Sequence, residues 1–448
     1  MPFTTAEPVT GNIFFNRKGE LTQLLAAARD LMTGTLRYYA ILGLRKVGKS
    51  SLLQEFRRRA CALPVAVVYL DCFESALDIN AFLEDLAIAA LDEYCSKTGG
   101  LPGLRPLVTR KYDETEFNLA LGQLAAQGND ALTAAARAIL TLRSGKLTRD
   151  LVRVLLDIPA LLSTEALPFI VILDEFQELA KLNASKLTRE IAGDIFKLLR
   201  SRWQTHKGVT YFISGSELSM MDEIINREGA ALFQHFNTIT LAEFPRAEAL
   251  EMLTTLFSQA GRSLAPELLE KMVTLLNGHP FYLQVLGEEL CRATLETGDP
   301  LEEGTVIPVT EALFKEVFQE TLFRPSGRLF LYFEGYFERF VGRAPTLQQV
   351  LFALAEGNTS VTRIAHALSR PAGTISSWLG RLVRMGLVKK EGHQYTFTDP
   401  VFGLWLKGTK SPAKRTLAPT ILGDLAEKAV AESLGAEGFT LIYQSRAS

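Results

Sequence analysis

Gly43-Leu44-Arg45-Lys46-Val47-Gly48-Lys49-Ser50 is the stretch on which the reading of this sequence turns. It meets every fixed position of the spacing G-x-x-x-x-G-K-[ST]. Glycines at these positions let a loop close around a phosphate and present backbone N–H groups to it. The lysine reaches the outer phosphates of a nucleoside triphosphate, and the hydroxyl that follows suits Mg²⁺. The helical pattern from Lys49 to Arg59 turns its positive end toward the same anion. The preceding segment, Leu36 to Leu42, reads LRYYAIL and predicts a short strand. A loop between strand and helix is the setting this motif requires. The expected cradle is Gly43, Leu44, Arg45, Lys46, Val47, Gly48, Lys49 and Ser50, with Ser51 beside it, and the expected ligands are ATP and Mg²⁺.

Outward from the loop, strands and helices alternate. Residues 18–33 predict a helix from Leu21, Leu24, Leu25, Ala28 and Leu31. Pro64 to Asp71 is a valine-rich strand, and residues 80–95 return to helix. This rhythm predicts a parallel sheet with helical crossovers. Residues 96–163 interrupt it: GGLPGLRP opens the stretch, and helical segments follow, broken at Gly128-Asn129-Asp130 and Gly145. They predict a helical insertion in, or extension of, the core.

The sheet resumes at Phe169 to Leu173, apolar on both faces as a central parallel strand is. Asp174 and Glu175 end it. One carboxylate there stands near Mg²⁺ and the next can polarise an attacking water. Ser50 and Asp174 are therefore the expected metal pair, and Lys49 and Glu175 the expected catalytic residues. A strand at Val209–Ile213 leads into Ser214-Gly215-Ser216, where either serine can read the terminal phosphate or hold the water. Thr238–Leu241 is a further short strand. Asp71 reads equally as a polar support of the site and as a turn residue.

From Pro245 to about Thr294 the pattern is helical. TGDPLEEGTVIP connects it to an aromatic-rich helical stretch at 309–343, and residues 346–407 predict helix, helix, helix, strand, strand. Val361–Leu368 and Thr374–Leu382 are amphipathic helices around a turn at Ser369–Gly373, and Met385–Lys390 with Tyr395–Phe397 make a hairpin. This is the pattern of a winged helix, with Ile364, Ala365, Leu368, Ile375, Leu379 and Leu382 as its core. Thr374, Ser376, Ser377 and Arg381 lie on or near the face that would enter a major groove, and Arg384, Lys389 and Lys390 extend its charge.

Residues 360–415 hold ten Lys/Arg against two Asp/Glu, while the whole chain carries a net charge of −2. Such asymmetry fits duplex DNA as a partner; a protein partner or a solvated basic face gives the same count. Asp399-Pro400 predicts a turn, with the aromatic residues after it in the core. A linker, GTKSPAKR, leads to residues 416–448. A helix near 423–434 and a strand at 439–443 are predicted there, a capping element or short appendage without the Asp…Glu-x-Lys set of a nuclease.

The chain has 448 residues, 47% hydrophobic and 22% charged, enough for several packed domains and outside the range of disordered chains. Cys61, Cys72, Cys95 and Cys291 form no CxxC pair, and five scattered histidines give no zinc spacing. No apolar run reaches the roughly 18 residues of a membrane span. MPFTTAEPVT lacks the order of a signal peptide, so the expected location is cytoplasmic, away from membranes.

Five features in order resemble the prokaryotic STAND-type, AAA-like signal-transduction ATPases. They are Phe15-Asn16-Arg17-Lys18-Gly19-Glu20-Leu21, the phosphate loop, LDEFQEL at 173–179, ISGSELSMM at 213–221 and Asn277-Gly278-His279-Pro280-Phe281. The resemblance spans residues 12 to about 407. It implies an α/β fold: a P-loop NTPase (ASCE/AAA-like) parallel-sheet core over 1–244 with its insertion at about 96–163. A helical lid and connection (245–320), a winged helix (321–408) and a linker with appendage (409–448) follow. It implies that Asn16 and Arg17 line an adenine pocket with His279 and Pro280, although Gly-His-Pro alone reads as a helix stop and proline start.

The chain departs from its relatives where they carry an arginine before the last core strand. Arg227 lies early and Phe233-Gln234-His235-Phe236 is nearest, which leaves the source of transition-state charge and any self-association open. The implied activity is slow ATP hydrolysis to ADP by a switch coupled to DNA contact. A nucleotide-gated protein scaffold and a DNA-remodelling helper of the initiator or transposition kind are the alternatives.

Overall fold

The computed structural model describes residues 2–99, 114–126, 129–296 and 306–410. GGLPGLRP beyond its first glycine, most of the TGDPLEEGTVIP connection and the elements expected within 416–448 lie outside the described residues. The chain divides into two units, Pro8–Ala242 and Met1–Glu7 with Glu243–Ser448. Among the described residues no helix is long and apolar enough to cross a membrane.

In the first unit β1 (Tyr39–Gly43), β2 (Ala66–Asp71), β3 (Phe169–Asp174), β4 (Val209–Gly215) and β5 (Asn237–Leu241) form one sheet in the order β2-β3-β4-β1-β5. Every pairing is parallel. β3 and β4 are buried along their whole length. The period of two divides their side chains between two cores. Ile41, Ile170, Ile172 and Phe212 meet Leu24, Leu52 and Phe56 of helices α1 (Lys18–Met32) and α2 (Lys49–Ala60). Phe169, Val171, Leu173 and Ile213 face the opposite layer, which holds Phe82 and Leu86 of α3 (Ile79–Thr98).

The helices Glu114–Ala125, Asp130–Arg143 and Arg149–Leu162 thicken that second layer. Leu121, Leu132, Ile139 and Leu155 enter the same core, and the last two helices pack on α3. At about 1.5–3 kcal/mol for each large side chain buried, they belong to the stability of the sheet unit.

β1 starts later than its apolar pattern suggests. Its ladder partners, Phe212 and Asn237, first meet it at Tyr39, and Leu36 and Arg37 precede the ladder. At the other end the register sets Asp71 beside Asp174. The loops after β1, β2, β3 and β4 leave the sheet from one edge, where open parallel sheets place their ligands.

The second unit's described residues from Arg246 to Glu296 and from Glu311 to Ala355 are mainly helical, and Arg262–Ser263 pairs briefly with Ile307–Pro308. Helices Val361–Leu368 and Ala372–Arg384 follow, then an antiparallel hairpin, Val388–Glu391 with Gln394–Phe397, and a last helix, Pro400–Thr409. Ile364, Ile375, Leu379 and Leu382 are buried, whereas Ala365 and Leu368 are only partly so. An aromatic core joins the last helix to Arg328–Val341, with Phe402 and Trp405 against Phe333 and Phe337.

Asp399-Pro400 is not a turn. Asp399 accepts hydrogen bonds from the N–H groups of Val401 (2.9 Å) and Phe402 (3.3 Å) and caps the last helix. Pro400 fills the first helical position, where its missing N–H costs nothing.

Candidate active site

Gly43 ends β1 so close to β5 that a Cβ there would lie 2.5 Å from the Leu241 carbonyl oxygen. The loop after it turns on Lys46 (φ +66°) and Gly48 (φ +104°), both in the left-handed region. Val47 anchors the loop in the core beneath α1 and α2. Helix α2 then begins at Lys49 with neither a capping side chain nor an acidic residue in its first turn.

Lys49 is 4% exposed and donates to the carbonyls of Gly43 (3.1 Å) and Leu44 (3.0 Å). Burial lowers its pKa, with Glu175 and Asp174 opposing that shift. Arg17, itself in the left-handed region, is buried and donates to the Val47 carbonyl (3.3 Å) and to that of Ala242, bracing the loop beside Asn16. The Ser51 hydroxyl accepts the Val9 N–H at 3.1 Å.

Asp174 is where the polar groups meet. Its Oδ2 accepts from the Ser50 hydroxyl (2.7 Å) and the Tyr69 hydroxyl (2.6 Å); its Oδ1 accepts from the Ser214 hydroxyl and the Glu175 N–H (3.1 Å). Glu175 holds a left-handed backbone (φ +50°), and its Oε2 accepts from Gln177 Nε2 (2.6 Å) and the Ser216 hydroxyl (2.7 Å). The two serines thus serve different carboxylates. Asp71 accepts the Phe73 N–H at 2.9 Å. Burial pushes its carboxyl up to about 6, and the charges of Asp174, Glu74 and Glu175 add to the rise. Burial, then Asp174, raises the Tyr69 hydroxyl far above its ordinary value, so it remains a donor.

Gly43 to Ser51, Asp174, Glu175, Ser214 and Ser216 all belong to this unit, at the loop and the ends of β3 and β4. Tyr69 and Gln177 are additions that the sequence did not single out. Tyr69 lies in an apolar strand run, and Gln177 carried a signal only as the fourth letter of DEFQ. Arg227 is exposed and paired with Glu223 at 3.1 Å.

Asn16 and Arg17 belong to the same unit, and the other expected residues lie in the second unit. His279 is buried and stacks on Tyr282 with ring centroids 3.9 Å apart, and Pro280 opens a helix. Ser376, Ser377, Arg381, Arg384, Lys389 and Lys390 are exposed and Thr374 is partly so; Lys389 pairs with Glu391 at 2.8 Å.

The cradle, the hydroxyl–carboxylate pair and the oriented second carboxylate are the parts needed to bind and cleave a nucleoside triphosphate. The Walker-type ATPase PABY2304 of Pyrococcus abyssi shares the fold, with a TM-score of 0.62 at 21% identity over 91% of this chain and 100% of that one. The ORC2 protein of Aeropyrum pernix, solved as ADPNP-ADP complexes, aligns with a TM-score of 0.51 at 16% identity over 97% of this chain and 98% of its own. No curated protein matches the sequence significantly. The family described as "ATPase domain predominantly from Archaea" matches residues 14–286, a stretch that contains the loop, both carboxylates and both serines. The chain therefore belongs to this archaeal-type ATPase family, and its P-loop α/β unit is a nucleotide-binding ATPase domain.

Proposed function

We propose that the chain is a Mg²⁺-dependent ATPase switch of the STAND and AAA-like kind, with a winged helix at 321–408 that contacts duplex DNA. The observation that carries the ATPase reading is the 2.7 Å hydrogen bond from Ser50 at the head of the phosphate helix to Asp174 at the end of β3, with Glu175 next in the chain. A hydroxyl and one carboxylate are hard oxygen donors of the kind Mg²⁺ takes beside nucleotide phosphates and water. Bound there, Mg²⁺ would neutralise charge on the phosphate oxygens. Lys49 exchanges its carbonyl partners for the outer phosphate, Glu175 polarises the water, and Asn16 and Arg17 border the nucleotide.

The DNA reading is supported by exposure and charge. Arg363, Arg370, Arg381, Arg384, Lys389 and Lys390 are all exposed between Val361 and Phe397, with Glu391 the only carboxylate in that span. Small residues, Gly373, Ser376 and Ser377, occupy the outward face of Ala372–Arg384 and would let the helix approach a groove.

ATP turnover measured with and without duplex DNA tests both parts. Slow turnover with DNA bound and little stimulation is expected. Absent turnover contradicts the ATPase switch. Strong stimulation by DNA replaces it with a remodelling helper, and absent DNA binding replaces the DNA contact with a protein partner.

A further inference from the structure

Gln177 has no part in the roles assigned above, yet it is 2% exposed and lies two residues past Glu175. We infer that Gln177 and Ser216 are positioning residues for hydrolysis: together they grip one oxygen of the Glu175 carboxylate and fix its orientation. The inference rests on the reading of Glu175 as the base.

Both donors reach the same atom, Oε2, at 2.6 and 2.7 Å, and they come from different elements. Gln177 belongs to the 3₁₀ turn Phe176–Ala184, and Ser216 follows the end of β4. A carboxylate held from two rigid directions has little freedom left, and Oε1 accepts no hydrogen bond from the described residues. A carboxylate only accepts, so Gln177 must present its Nε2 to it. Its Oε1 is then buried without a partner. A residue kept only to fill this space would be apolar; a buried amide with one unmatched atom implies a task for the other.

The neighbours are shaped to the same end. Glu175 holds a left-handed backbone that a non-glycine residue adopts only when its surroundings impose it. Ser214 lies 3.4 Å from the Glu175 N–H, so Ser214 meets its backbone and Ser216 its side chain. Between them, a Cβ on Gly215 would collide with Met221 and stand 2.8 Å from the Gln177 amide oxygen. The order Ser-Gly-Ser at the end of β4 thus places two hydroxyls on the two carboxylates and leaves room for the glutamine.

Single-turnover ATP hydrolysis by the full chain tests this with Gln177→Leu, Ser216→Ala and Ser216→Thr, each made alone and in Glu175→Gln. Gln177→Leu and Ser216→Ala should each slow turnover about tenfold, within the range for a misplaced catalytic group. Nucleotide affinity should not change, and Ser216→Thr, which keeps the hydroxyl, should stay near wild type. In Glu175→Gln the same changes should cost nothing further, because they act through the lost carboxylate.

Ser216 is only partly buried, so its variants keep the test open if Gln177→Leu does not fold. Wild-type rates in folded Gln177→Leu and Ser216→Ala, or equal losses with and without Glu175, overturn the positioning role. A wild-type rate in Glu175→Gln alone instead overturns the reading of Glu175 as the base.

Discussion

Two helix N-termini in this molecule solve the same problem in opposite ways. Every helix begins with N–H groups that lack partners and with a positive dipole end. Pro400–Thr409 satisfies its own: Asp399 accepts from two of those N–H groups and is held in turn by the Tyr282 hydroxyl at 2.6 Å. Lys49–Ala60 has no such device. Gly48 supplies a turn and no side chain, and no acid stands in the first turn. Uncapped helices are common among the described residues; several begin at or directly after a proline. What sets Lys49–Ala60 apart is that a buried lysine and the Ser50–Asp174 pair stand at the same end. One helix carries its anion as part of the chain, and the other is built to take an anion from solution.

Lys49→Ala should weaken binding of a non-hydrolysable ATP analogue by about 10²-fold or more in isothermal titration, the usual result of truncating a buried charge contact. The melting temperature without nucleotide should hardly move. Asp399→Ala should do the reverse, leaving affinity intact. Equal affinity in wild type and Lys49→Ala would end the distinction between the two termini.

The exposed basic face extends the comparison to a larger anion. If four or five of its cations meet phosphates together, log K against log salt for the full chain on duplex DNA should have a slope of roughly −4, at about −0.9 for each phosphate. Replacing Arg381 and Lys389 by alanine should flatten the slope by about two units. A slope that does not change would move the contact to another surface.

Asp399→Ala should lower stability by about 1–2 kcal/mol for the lost cap, more if the Tyr282 hydroxyl stays unpaired. Chemical denaturation measures it, and Asp399→Asn should keep most of the loss away. An unchanged midpoint would reduce the cap to decoration.

The smallest effect is one of pH. Burial pushes the Asp399 carboxyl up to about 6 from an ordinary value near 3.8, against the pull of its hydrogen bonds. The folded chain then holds this proton more tightly than the unfolded chain does. Its contribution to stability is full below about pH 4, declines up to about pH 6, and is flat above. Wild type should therefore lose stability relative to Asp399→Asn as pH rises through that window; a gain would mean that burial does not govern this carboxyl.

What the sequence made legible was local. The phosphate loop is eight consecutive residues with their chemistry in the spacing, and Asp174-Glu175 ends an unbroken apolar run. The parallel core followed from the alternation of strand and helix. The contacts of Tyr69 with Asp174 and of Gln177 with Glu175 depend on strand register and a left-handed residue, which no spacing displays. The start of β1 was set by where its partners begin rather than by its own apolar run. Asp399-Pro400 carries a turn signal and a helix-start signal at once, and only the helix packing behind it, through Phe402 and Trp405, decides between them.

As a general base, Glu175 is expected to activate the water that cleaves the nucleotide bound at the phosphate loop. Wild type and Glu175→Gln, each incubated with Mg²⁺ and ATP and passed through gel filtration, can be compared by the nucleotide they retain. Removing a general base slows hydrolysis by about 10²–10⁴ without touching the cradle. Wild type should elute with ADP and Glu175→Gln with intact ATP. ADP on the variant, formed as fast as on wild type, would contradict the account.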